Sequence, residues 1–300
     1  LLLLPGLGEL DLWAPDEPRY AEIADEIARG GDGASHWLLP RLNGEAYSQK
    51  PPLYYWLAAL PGLETGRVSA GEVRLPSALA GIVLVTMTFW LGRRFFTRPM
   101  AALYAAGILL TSFRFAHLAR RAQLDVLLAA FETLALLSFA RQEYGHGSRR
   151  GNVALFHAAV GAAVLTKGPV GLLPFLVVIA YFATERRRGA WRDWFPAWGL
   201  ALSLGPAALW LASALALAPP GFFEVAVIEN LFDRFASGVS HPRPFYYYVF
   251  QFPADFMPWT LLWPLAAVAL VQSWRQEPRA EARGWRLAAV WLGVFFVFFS

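Results

Sequence analysis

Apolar residues along the chain come in blocks, at 75–91, 101–115, 126–140, 153–165, 170–183, 198–217, 259–271 and 287–300. A first helix is expected to end near Leu10. The longer blocks approach the ~20 residues a helix needs to cross a hydrocarbon core, and tilt accommodates the shorter ones. None alternates with the period of two that a barrel strand requires. In lipid every backbone group has to be satisfied inside its own segment. The pattern therefore predicts an all-α, polytopic membrane protein built as a helix bundle. No internal repeat and no low-complexity segment interrupts it.

The connections between blocks carry a second pattern. Every other one is short and basic: Arg93-Arg94 with Arg98, Arg141 with Arg149-Arg150, Arg186-Arg187-Arg188 with Arg192, and Arg275, Arg279, Arg283 and Arg286. Short connections rich in Lys and Arg stay on the cytoplasmic side. The others, 11–73, 114–124, 166–169 and 218–258, are then external. Two of them are long, and long connections in compact folds usually carry function. In the first, Asp16-Glu17-Pro18 reads as a helix start with an acidic cap and an early proline. Ala21, Ala24, Ile27 and Ala28 share one face, Gly30-Gly31 closes the helix, and its amphipathic character predicts a place on the membrane surface.

Composition agrees with the pattern. Of 300 residues 57% are hydrophobic, 15% aromatic and only 16% charged, against about 25% charged in soluble domains. The net charge of +4 follows from the loop bias and calls for no nucleic-acid partner. Without cysteine the chain has no disulfide, thiolate nucleophile or thiolate-bound metal. It lacks an initiating methionine and both ends are apolar, so it reads as cut from a longer protein at both ends.

Several ionisable residues fall at the external level. Asp16 and Glu17 serve either as cap and solvated face or as a carboxylate at the interface able to act as base. Lys50, ahead of Pro51-Pro52, sits on a turn that proline keeps out of the helical region. With Tyr54, Tyr55 and Trp56 beside it, it is either a snorkelling anchor or a point charge for a phosphate. Arg114, Arg120, Arg121 and Asp125 cluster where the charge rule disfavours cations, as an ion pair or as a site. Lys167 stands at the Gly168-Pro169 break. Glu132, in mid-span, must face the bundle interior or be protonated, which is a structural role. Farther on lie Glu229, Asn230, Arg234, His241, Arg243 and an aromatic run from Phe245. A lone histidine such as His241 is more often a packing residue than a ligand. Cations, carboxylates and an aromatic rim on one face suit an anionic lipid headgroup with acid–base chemistry. A transporter of lipid-linked sugar is the alternative, hinted at by Glu132 and the break at Lys167. A non-catalytic membrane scaffold is a third.

The sequence resembles the GT-C membrane glycosyltransferases. Within them it is similar to the lipid A aminoarabinose transferase and protein O-mannosyltransferase group. The resemblance rests on 15–23 (Pro15-Asp16-Glu17-Pro18-Arg19-Tyr20 and onward), on Asn43-Gly44, Tyr47 and Lys50-Pro51-Pro52-Leu53-Tyr54-Tyr55-Trp56-Leu57, on Arg121 with Asp125, on Leu165-Thr166-Lys167-Gly168-Pro169, and on the block from Arg234 to Tyr247. These run in family order over nearly the whole chain. The resemblance implies one GT-C transmembrane domain over 1–300, without the family's C-terminal external domain. It implies transfer of a sugar from a polyprenyl-phosphate donor, with inversion, to a lipid A-like lipid, a glycan or a protein. The setting implied is the outer face of a bacterial inner membrane. Asp16 and Asp125 are implied as catalytic. Lys50, Arg19, Tyr20, Glu17, Lys167 and Arg243 are implied to hold substrate and phosphate. A hydroxyl acceptor needs a base, Asp16 first and Asp125 second, whereas for a phosphate acceptor the aspartate orients. In the aminoarabinose transferases a glutamate before this lysine ligates a metal with a histidine matching His241. Here that position is Gln49, a neutral amide and a poor zinc ligand, so no metal or other cofactor is assigned.

Overall fold

A computed structural model describes residues 2–30, 35–96, 98–187, 189–233, 246–268 and 279–299. The external segment forms α1 (Asp16–Arg29), α2 (Ser35–Leu38), a two-stranded hairpin of β1 (Arg41–Leu42) and β2 (Glu45–Ala46), and α3 (Leu53–Ala59). The bundle follows as α4 (Ala70–Phe95), α5 (Pro99–Thr111), α6 (Phe113–Ala119), α7 (Leu124–Glu143), α8 (Arg149–Lys167), α9 (Leu173–Thr184) and α10 (Ala197–Leu217). A wide helical turn at Glu224–Asp233, α11 (Tyr247–Asp255), a short apolar helix over Trp259–Val268 and α12 (Arg279–Phe299) follow.

Local chemistry sets these boundaries. Ser69 and Glu72 form a reciprocal capping box at the start of α4, satisfying amides that would otherwise lack partners. Ser148 caps α8 by accepting from the Gly151 amide at 3.1 Å. Asn43 and Gly44 both take positive φ, 55° and 81°, the two-residue turn that matches hairpin twist. The first turn of α1 differs from the sequence expectation. Pro15 holds the cap position without a side-chain hydrogen bond, and Asp16 is the first helical residue.

By length and apolarity Ala70–Phe95, Arg149–Thr184 and Ala197–Leu217 would cross a membrane, with Pro99–Ala119 a fourth if its bent halves count as one. Exposed Leu79, Val83, Trp90, Leu176, Ile179 and Leu209 coat the outside, as lipid-facing helices require. The stretch Arg149–Thr184 doubles back at Gly168–Leu172. Gly171 lies against Ala163 and Val164, where an added Cβ would come within 2.4 Å of the Val164 nitrogen. It is thus the hairpin expected from the break at 166–169.

The alternating charge pattern is visible in space. At one end Arg187 pairs with Glu143 at 2.6 Å, Arg149 with Asp193 at 3.0 Å, and Arg286 with Glu185. The Arg283 guanidinium lies over the Tyr144 ring. The external segment and the ends of α7 and α8 bearing Asp125 and Lys167 occupy the opposite end. One apolar cluster joins α1 and α3 to α4 and the start of α7. A second joins the far halves of α4 and α7 to α8, α9 and α12.

Three expectations change. Residues 2–10 form turns rather than a helix end, since Pro5, Gly6 and Gly8 break any helical run. The block 101–115 is broken at Ser112, where the halves bend by 66° and the Phe113 amide leaves the helix for the Met257 carbonyl. Helix α1 buries Ile23, Ala24 and Ile27 and packs on α3 and α4. Its apolar face is covered by protein.

Close helix packing in α8 and α10 depends on glycine. A Cβ on Gly161 would sit 2.8 Å from the Leu202 carbonyl oxygen. Small residues let membrane helices approach this closely. Gly161→Val is expected to cost about 1–3 kcal/mol of overpacking strain, seen as a lower melting temperature of the detergent-purified protein.

Candidate active site

Helix α1 presents Asp16, Arg19 and Tyr20 from its first two turns. Asp16 lies 3.6 Å from Arg19 with its side chain 40% exposed, so a substrate can reach the carboxylate. Tyr20 points inward, 6% exposed. Its ring meets Tyr54 and Tyr55 at 5.8 and 5.6 Å between centroids, and Tyr47 meets Tyr55 edge-on at 5.7 Å. Burial pushes the Tyr20 phenol up, and Asp16, Tyr47 and Asp125 push it further. Tyr20 therefore stays protonated, with Asp16 and Asp125 both acting on it.

The tyrosines also place Lys50. Tyr54 donates to the Val73 carbonyl at 2.9 Å and bonds Ser77 at 3.0 Å. This fixes α3 on α4, and Pro51-Pro52 fixes the residue just before α3. Lys50 there lines a mostly apolar cavity of about 400 Å³ with Gln49, Lys167, Pro169, Trp210 and Val227. Two lysines thus line one apolar space. Lys167 pairs with Asp125. Asp125 in turn edges a second cavity of about 330 Å³ with Arg114, Phe115, Phe252 and Asp255. The ion pair thus joins the rims of two cavities. That suits a donor with a phosphate and a long apolar tail on one side, and an acceptor on the other.

Glu17 differs from the expectation that it holds substrate. Its side chain is fully buried and accepts from Arg74 Nε at 2.9 Å and Nη2 at 2.7 Å. It also accepts from the Trp13 and Ala122 amides, at 2.8 and 2.7 Å. Arg74 spends its remaining donors on the carbonyls of Leu7, Leu10 and Asp11. Burial raises the Glu17 pKa, but Arg74 and the two amides outweigh it and hold the group below its ordinary value. Glu17 is the staple that sets its neighbour Asp16 against the segment leading to Asp125.

Arg120 and Arg121 are structural in the same sense. Arg120 donates to the Leu2 and Pro5 carbonyls, and Arg121 lies 4.6 Å over the Trp13 ring. Neither pairs with Asp125, whose partner is Lys167. His241, Arg243 and Arg234 lie outside the described residues. Gln49 offers a neutral amide beside an ammonium, and no three His, Asp or Glu side chains converge among the described residues. These residues do not fit a metal, and no step is routed through one.

Sequence reasoning missed Arg74, which opens an apolar block like an ordinary interfacial cation. It also missed Glu26, whose carboxylate accepts from the Gly44 amide at 3.0 Å and holds the hairpin turn. Glu26 stands on the polar side of α1 with Arg19 and Glu22, so helical spacing carried no signal for it.

Known proteins resemble this chain in sequence and fold. Undecaprenyl phosphate-alpha-4-amino-4-deoxy-L-arabinose arabinosyl transferase of Edwardsiella ictaluri is 32% identical over 283 residues, 91% of this chain and 48% of that protein. The Pseudomonas aeruginosa protein of the same name is 31% identical over 316 residues, all of this chain and 53% of its own. The chain spans about half the length of these curated relatives. The crystal structure of ArnT from Cupriavidus metallidurans bound to undecaprenyl phosphate matches with TM-score 0.86 at 28% identity, over 99% of this chain and 53% of that one. Its apo state matches with TM-score 0.72. The fold is accordingly the GT-C membrane fold. Residues 2–222 match the model of the Dolichyl-phosphate-mannose-protein mannosyltransferase family, and the chain belongs to that family.

Proposed function

We propose that the chain transfers a sugar from a polyprenyl-phosphate donor to a lipid acceptor, with inversion, at the outer face of a bacterial inner membrane. The observation that carries this reading is the apolar cavity lined by both Lys50 and Lys167, with Asp125 bound to the second ammonium. A polyprenyl-phosphate sugar is the complement of this cavity, a monoanionic phosphodiester head on a long apolar tail, and its leaving group is a dianionic phosphate. As the glycosidic bond breaks, negative charge grows on the leaving phosphate, and cations already in place stabilise it. Asp16, accessible at the start of α1, takes the proton of an attacking hydroxyl. Asp125 orients from the other side, and Tyr20 donates between them. Arg243, His241 and the remainder of the second external segment are proposed to close the site. The relatives' printed activity makes undecaprenyl-phosphate 4-amino-4-deoxy-L-arabinose the first donor to try and lipid A the first acceptor. Lipid transport without transfer has no comparable support, as the relatives named above are transferases.

The test is transfer of label from that donor to lipid A in membranes holding the protein. Wild type is expected to form glycosylated lipid, and Asp16→Asn to slow it about 10²- to 10⁴-fold, as loss of a general base does. Full activity of Asp16→Asn would remove it from the reaction. Movement of donor across proteoliposomes with no product would favour transport.

A further inference from the structure

Glu132 is the one carboxylate in the middle of α7, 3% exposed, and its Oε1 has no hydrogen-bond partner among the described residues. An unsatisfied polar group at this depth is costly. Its place on the helix is specific. It follows Asp125 by seven residues, which brings it back to nearly the same face, ~20° round and ~10.5 Å deeper. Helix side chains lean toward their own N-terminus. Glu132 therefore leans up α7 toward Asp125. Lys167, the last residue of the antiparallel α8, leans down α8 toward the level of Glu132. Among the described residues, Lys167 and Asp125 are the charged groups that act on Glu132.

We propose that Glu132 is a positioning residue, a second anchor for the Lys167 ammonium that takes it over when a substrate engages Asp125. Asp125 binds Lys167 and also edges the second cavity, so one carboxylate faces two demands. With a second carboxylate beneath, Lys167 keeps a counter-ion in low dielectric while Asp125 turns to the substrate. The lysine then stays at the depth where it faces the first cavity. This rests on the reading of Asp125 and Lys167 as parts of the site.

The experiment compares Glu132→Gln, Glu132→Leu, Lys167→Ala and the double variant Glu132→Gln/Lys167→Ala. The readouts are transfer from labelled undecaprenyl-phosphate 4-amino-4-deoxy-L-arabinose and melting in detergent. Glu132→Gln should keep the donor KM and lower kcat roughly tenfold, the coupling usual within one polar network. Glu132→Leu should lose turnover equally while melting no lower than wild type, since it removes a buried unpaired group. In the Lys167→Ala background Glu132→Gln should add nothing. Turnover at the wild-type level in Glu132→Leu, losses that multiply, or failure of Glu132→Gln to accumulate would each overturn the proposal. If Lys167→Ala is too slow for the double variant to be read, the kcat and KM of the single variants decide. Full activity of Lys167→Ala would sink the site reading as well, whereas an impaired Lys167→Ala beside wild-type Glu132 variants would sink this proposal alone.

Discussion

Glu17→Ala is expected to deplete the folded protein from the membrane, although the residue lines neither of the two cavities. The substitution leaves the Arg74 guanidinium, 5% exposed, with only the carbonyls of Leu7, Leu10 and Asp11. It also strips the Trp13 and Ala122 amides of their acceptor. Breaking a buried pair on one side costs about 3–5 kcal/mol, a large part of the ~5–15 kcal/mol that keeps a domain folded. Replacing both partners, Glu17→Leu with Arg74→Met, should be milder because no charge is then stranded. It should not reach wild type, because the five backbone groups still lose their partners. Fluorescence-detected gel filtration after heating orders the three proteins. The pair also has a pH signature. The Glu17 pKa is lowered on folding from an ordinary 4.5, so its stabilisation is complete above that value and is lost as pH falls through the folded pKa. Wild type should lose melting temperature on acidification below about 4.5, more steeply than the double variant. Equal slopes would show that Glu17 does not carry this term.

Lys50→Ala should lower turnover sharply with little effect on folding. Lys50 is half-buried at the cavity rim, held by Pro51-Pro52 ahead of α3 rather than packed in a core. Removing a fixed charge from a site where negative charge develops typically costs about 10²–10³ in kcat, or ~2.7–4 kcal/mol. The donor phosphate is already anionic when bound, so KM should rise as well. The larger loss falls on kcat because the charge on the bridging oxygen appears only as the bond breaks. Lys50→Arg should recover part of this, since the charge returns but the planar fork does not reproduce a compact ammonium. A steady-state comparison with labelled donor separates the two parameters. A change in KM alone would make Lys50 a binding residue with no share in the bond-breaking step.

The helix bundle was legible because its signals are local and repeated. Apolar blocks and basic connections recur along the chain, and the hairpin at Lys167 announced itself through Gly168-Pro169. The site residues Asp16, Lys50, Asp125 and Lys167 were named from motifs, and three of them now bound the two cavities. Pairing was not legible. Nothing near Asp125 says that its partner is Lys167, 42 residues on, rather than the adjacent Arg121. Nothing near Glu17 points to Arg74, 57 residues away. Both pairs depend on how α1, α4, α7 and α8 rotate about their axes, and that is decided by packing in the two apolar clusters. The failed helix before Leu10 has a different origin. Leucine content outweighed Pro5, Gly6 and Gly8, which break the run.

Lys167 is the last residue of α8, directly before the fold-back at Gly168. Its height above the basic end is therefore read off a ruler, the number of residues in α8. One residue added near Ser148 would lift the ammonium ~1.5 Å and swing it ~100° off the face that meets Asp125. Seven would restore the bearing but leave it ~10.5 Å too high. No insertion satisfies both angle and height, so α8 tolerates exchange of its side chains far better than any change in its length.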